Sequence, residues 1–111
     1  MNESDIIRLR HMLDAAREAL SFIVGRSPED LSRDRMLLLA LVKEIEIIGE
    51  AASRISDESR KSLTQIPWPK IIAMRNRLIH AYADVDLSIV WDTLTGALPE
   101  LLRELEIALA D

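Results

Sequence analysis

The chain contains no cysteine, which excludes disulfide cross-links, thiolate metal sites and cysteine nucleophiles. Glycine and proline are scarce, 3 and 4 of 111 residues, so chain-breaking positions are few. The composition leans on Leu, Ile, Ala, Arg and Glu, all compatible with long helices. Aromatic side chains are limited to Phe22, Trp68, Tyr82 and Trp91, and the formal charge is −5. That pairing is a poor basis for a nucleic-acid binder that works through a broadly basic surface and base stacking. Long hydrophobic runs are missing too. The longest, Met36 to Val42, falls far short of the roughly 20 residues that span a bilayer, and Glu3 and Asp5 stand where a signal peptide would be basic. A soluble, cytoplasmic protein with no membrane association is expected.

With 49% of residues apolar, the chain can build one hydrophobic core, and a single domain over residues 1–111 is expected. A domain this small buries a modest share of its surface and gains from an oligomeric interface. The pattern reads as all-α. Apolar residues recur at Ile6, Leu9, Leu13, Ala16, Leu20 and Ile23 in the rhythm of one buried stripe, with Ser4 as N-cap and Gly25 as terminator. Ser27-Pro28-Glu29-Asp30 reads as the next helix start. That second helix, after a short break before Asp34, runs to about Ile55. It carries two apolar stripes, one through Leu38, Leu41, Ile45, Ile48, Ala52 and Ile55, the other through Leu37, Ala40, Ile47 and Ala51. So broad a surface needs more than one neighbour. Its polar strip, Lys43, Glu46, Glu50 and Arg54, should face water or a partner, and Gly49 marks a close helix crossing.

A short helix capped by Ser56 is expected to end near Leu63. Pro67 and Pro69 force an extended connection, after which a helix runs from about Pro69 to Tyr82. Asp86 caps the last helix, with Val85 stapled against Val90. That helix continues to about Leu109 and is kinked where Pro99 cannot donate to the carbonyl of Thr95. Short loops between such helices predict a bundle.

Charge is unevenly distributed. Residues 1–59 carry a net −4, residues 84–111 a net −6, and residues 60–83 hold five basic and no acidic side chains. This basic island contains Lys70 and the densest group of polar functions in the chain, Arg75, Asn76, Arg77, His80 and Tyr82. His11, the one other histidine, falls off the apolar stripe and reads as a solvated surface residue. Two distant histidines and scattered carboxylates lack ligand spacing, so no metal site is expected, nor any cofactor, for want of a phosphate-cradling glycine loop. A histidine can move a proton near neutral pH, and an arginine fork can hold phosphate oxygens and the charge that builds on them. Together they suffice for RNA cleavage in which the 2′-hydroxyl attacks the adjacent phosphate. On a regular helix, however, positions 75 and 80 lie about 140° apart.

At these residues the sequence resembles the HEPN superfamily, and within it the HepT-like toxins of prokaryotic toxin–antitoxin modules. Their motif, Arg, four residues, His, one residue, Tyr, is matched by Arg75, His80 and Tyr82, with Asn76 in the polar position after the arginine. Further blocks follow in order: Glu44 to Ala52, Ile66-Pro67-Trp68, Val85-Asp86-Leu87 with Ile89-Val90-Trp91, and Leu98-Pro99-Glu100-Leu101. The resemblance implies an antiparallel four- to five-helix HEPN-like bundle with a short helix before the motif helix. It also implies a homodimer whose motifs share a cleft, and a metal-independent endoribonuclease. Arg75 would stabilise the transition state, His80 would act as acid–base and Asn76 as an orienting group, with Arg77 and Lys70 contacting RNA. The implied partner is a minimal nucleotidyltransferase antitoxin that transfers AMP to Tyr82, with assembly beyond the dimer left open. The alternative is a non-catalytic HEPN module that binds such a nucleotidyltransferase.

Overall fold

The computed structural model describes residues 1–80 and 86–110, and of Ile79 and His80 only the backbone. Every regular element among the described residues is helical, in the order α1 (Glu3–Phe22), α2 (Asp30–Arg33), α3 (Arg35–Ser53), α4 (Asp57–Ser62), α5 (Trp68–His80), α6 (Leu87–Asp92), a π-helical turn (Thr93–Ala97) and α7 (Leu98–Leu109). The all-α bundle with a short helix before the motif helix is therefore what the chain builds.

α1 starts two residues earlier than Ser4 would place it. Asn2 is the cap, its side-chain oxygen accepting from the Asp5 amide at 2.7 Å. The Asp5 side chain has a separate task. It is buried, 1% exposed, and accepts from the Ser56 hydroxyl (2.5 Å), the Ser59 hydroxyl (2.6 Å) and the Ser56 amide (3.1 Å). These hydrogen bonds hold its carboxyl below the usual range and tie the start of α1 to the start of α4.

Gly25 takes φ +73°, a left-handed turn that suits glycine. The helix start expected at Ser27 and Pro28 falls instead at Asp30, whose carboxylate accepts from the Ser27 amide at 2.8 Å, and α2 is a single turn without a side-chain cap. The break expected before Asp34 falls on Asp34 itself, which is extended (φ −119°, ψ 94°) and recaps the chain through the Leu37 amide at 3.0 Å.

α3 is the central element. It packs between α1 and α5, and α7 lies against α1. Arg8 reaches the Arg54 carbonyl, and Glu18 faces Glu44, so α1 and α3 run antiparallel. Leu41, Ile45, Ile48 and Ala52 of α3 are fully buried with Leu9, Met12, Ala16 and Ala19 of α1. The breadth of α3's apolar surface is thus largely spent on two neighbours within the chain.

Trp68 begins α5 one residue ahead of Pro69, whose missing N–H falls in the first turn where it has no intrahelical partner anyway. The Trp68 ring is buried and its Nε1 donates to the Leu63 carbonyl at 3.2 Å. The discontinuity expected at Pro99 is taken up just before it. The chain widens into the π turn, with the Leu98 amide donating five residues back to Thr93, which relieves the clash of the proline ring with the preceding turn. Asp86 caps α6, accepting from the Ser88 and Ile89 amides at 3.0 and 3.3 Å. The staple assigned to Val85 lies outside the described residues.

Candidate functional site

Arg75 is where the fold concentrates its effort. A glycine at position 49 is required because a Cβ there would overlap the Arg75 Cβ and stand 2.5 Å from its Cγ. The close crossing expected of Gly49 is therefore a crossing onto the arginine of the motif. One helical step on, Glu50 Oε2 accepts from Arg75 Nη2 at 2.7 Å, while Glu50 Oε1 pairs with Arg54 Nη2 at 2.7 Å. Arg75 Nη1 donates to the Asn76 side-chain oxygen at 3.2 Å, and its Nε is buried without a partner among the described residues. The arginine side chain remains 27% exposed. It is therefore fixed along its stem and held at both terminal nitrogens, with its outer edge open to solvent.

That edge opens onto a groove of about 530 Å³. α1 contributes Ser4, Ile7, Arg8 and His11 to its wall, the i, i+3, i+4, i+7 spacing of one helical face. Lys43, Glu46 and Glu50 of α3, with Arg54 at its C-cap, line the opposite side together with Ile47 and Ala51. The polar strip of α3 thus faces this groove. His11 is exposed, as expected, yet it shares the groove with Arg75, a proximity that no sequence spacing between α1 and α5 could reveal.

The basic island divides by task. Arg60 caps α3 by donating from Nη2 to the Ala52 and Ser53 carbonyls at 3.0 and 3.1 Å, and its guanidinium lies 6.0 Å from the Trp68 ring centroid, within cation–π range. It is a structural residue. Lys70, Asn76 and Arg77 are exposed. α5 stays α-helical through His80, so the backbone positions of Arg75 and His80 remain about 140° apart around its axis. The side chain of His80 and all of Tyr82 lie outside the described residues.

Glu44, which nothing in its sequence context sets apart, is a second unusual carboxyl. It is 6% exposed on the α1 side of α3, and one of its oxygens is buried without a partner. Burial, reinforced by the neighbouring Glu18 carboxylate, pushes its pKa up to about 7. Among the described residues no group of three or more His, Cys, Asp or Glu side chains could hold a metal ion, and no helix is long and apolar enough to cross a membrane.

Comparison with known proteins places this architecture. A family model described as ribonuclease HepT-like matches residues 12–108. A protein of Caldanaerobacter subterraneus subsp. tengcongensis named "Putative RNase TTE0752" is 36% identical over 98 residues, covering 88% of each chain. A Thermococcus cleftensis protein named "Probable ribonuclease HepT" is 36% identical over 78 residues, 70% of this chain and 71% of its own. A Methanocaldococcus jannaschii protein named "Putative RNase MJ1216" is 30% identical over 103 residues, 93% of this chain and 85% of its own. No solved structure matches. With the model match spanning α3, α5 and the crossing that holds Arg75, the chain belongs to the HepT-like ribonuclease family of the HEPN superfamily.

Proposed function

We propose that this chain is a metal-independent endoribonuclease toxin of a prokaryotic toxin–antitoxin system, acting as a homodimer and cleaving RNA by attack of the 2′-hydroxyl on the adjacent phosphate. The observation that carries the reading is Arg75, a motif arginine wedged against Gly49, tethered by Glu50 and open on one edge to a groove. A guanidinium so fixed presents its donors with little rearrangement to the charge that accumulates on a phosphate in the transition state. His80 takes the proton from the 2′-hydroxyl or returns one to the departing 5′-oxygen. The nucleophile belongs to the substrate, so the protein supplies proton transfer and charge stabilisation only.

Asn76 orients Arg75, to which it is hydrogen-bonded, and Arg77 and Lys70, both exposed on α5, contact flanking phosphates. A symmetric pair of chains relieves the angular offset between positions 75 and 80, since an isologous two-fold sets each residue against its counterpart in the other copy. Tyr82, two residues beyond His80, is the acceptor for AMP from a minimal nucleotidyltransferase antitoxin. The added phosphate would occupy the arginines that RNA requires.

The test is incubation of the purified protein with RNA in excess chelator. Fragments ending in 2′,3′-cyclic phosphate are expected, and a single 2′-deoxy substitution at the scissile position should stop the cut there. Tight binding of the nucleotidyltransferase without any cleavage would instead make the chain a binding module.

A further inference from the structure

The groove between α1 and α3 combines charges that the sequence keeps apart. Arg8, Lys43, Arg54 and Arg75 line it together with His11, against only Glu46 and Glu50, in a protein whose formal charge is −5. Glu50 is occupied by Arg54 and Arg75, and Glu46 is held loosely by Lys43 at 3.8 Å. Arg8 donates from Nη1 to the Arg54 carbonyl at 3.1 Å and forms no salt bridge among the described residues, although its charge reaches the buried Asp5 carboxyl. An electropositive groove in an otherwise acidic surface focuses the attraction of a polyanion onto one path.

We infer that this groove seats the backbone of single-stranded RNA flanking the bond to be cut, with Arg8, His11 and Lys43 as phosphate contacts. The inference rests on the ribonuclease reading and extends it beyond the residues of the motif. Arg75 opens onto the groove, so a strand lying in it is delivered to the arginine rather than held at a remote patch. The wall from Lys43 to Arg54 runs about 16 Å along α3, longer than one nucleotide requires. Ile7, Ile47 and Ala51 supply an apolar surface for ribose and base faces, which has no bias among bases. The contacts are to backbone, so binding through the groove depends on salt and not on sequence.

The experiment is fluorescence anisotropy with a labelled single-stranded 2′-O-methyl RNA oligonucleotide, in which the nucleophile is blocked and binding is read without cleavage. Lys43→Glu, and separately the pair His11→Ala with Lys43→Ala, should raise Kd about tenfold or more at low salt. For single strands each lost phosphate contact should also flatten the dependence of log K on log salt by about 0.7. All these side chains are exposed, so circular dichroism should be unchanged. Arg103→Ala, exposed on α7, should leave Kd and slope as they are. Equal effects from Arg103→Ala, or groove variants that bind like the parent, would overturn the assignment. So would groove variants whose dimer dissociates on sedimentation while the strand still binds, since the groove would then be a contact between copies. The two readings fail separately. A protein that binds the blocked strand in the groove but never cuts unmodified RNA contradicts the ribonuclease, whereas cutting that is indifferent to the groove variants contradicts the groove alone.

Discussion

Glu50 carries two opposing influences on the same arginine. Its carboxylate fixes the Arg75 guanidinium, and in the proposed reaction its charge would compete with the phosphate for that guanidinium. Removing it should separate the two effects. In Glu50→Ala, kcat should fall roughly tenfold to a hundredfold because the guanidinium is no longer placed, while KM for RNA falls because the groove has lost a negative charge. A loss of kcat with KM unchanged or raised would show that Glu50 only supports the fold. Glu50→Gln, which retains an acceptor for Arg75, should recover part of kcat.

Glu44 makes a different kind of prediction. Its folded pKa of about 7 lies above the unfolded value, so the folded state binds the extra proton and stability declines as pH rises from about 4.5 to 7, then levels off. Glu44→Gln should flatten that decline and stabilise the protein at pH 8 by about 1–3 kcal/mol, measured by urea unfolding across the pH range. A variant less stable than the parent at pH 8 would contradict the account. Neither role was legible beforehand: the sequence places Glu50 on a polar strip and Glu44 beside it, but only the packing of α1 and α5 decides which is buried and which meets an arginine.

At the scale of elements, the crossing of α3 and α5 is the joint on which the site depends. Gly49→Ala forces the two helices apart or drives Arg75 off its rotamer, and overpacking of this kind destabilises by about 1–3 kcal/mol. Cleavage should fall along with stability, and thermal unfolding with an activity assay on the folded fraction checks both. An alanine variant of parental stability and activity would mean that the crossing is slack. Helix periodicity and local stop signals carried most of this scale. The short helix at Ser56, the cap at Asp86 and the mid-chain break at Asp34 fall where side-chain chemistry demands them. Departures came where a competing local interaction won. Asn2 rather than Ser4 caps α1 through the Asp5 amide, and the Asp5 side chain pairs with Ser56 and Ser59, 51 and 54 residues away. Pro99 is accommodated by a π turn upstream, a choice of hydrogen-bond register that a periodicity cannot express.

For the whole molecule, charge read along the chain is a poor guide to charge in space. The basic island of residues 60–83 gives up Arg60 to capping α3, while Arg8, Lys43 and Arg54 from the nominally acidic first half arrive beside Arg75. Linear segments cannot show this, since the groove is made by two antiparallel helices whose facing stripes are about 40 residues apart in sequence. The family was legible, because its motif and accompanying blocks are local. The electropositive path to that motif was not. If Arg75 and His80 act together in cutting RNA, single-turnover cleavage in chelator by Arg75→Lys and His80→Ala beside the parent will read the loss of each. Both variants should be slowed by about 10²–10⁴ with helical content unchanged, since an ammonium lacks the planar fork and alanine cannot move a proton. Parental cleavage rates in either variant would contradict that joint action.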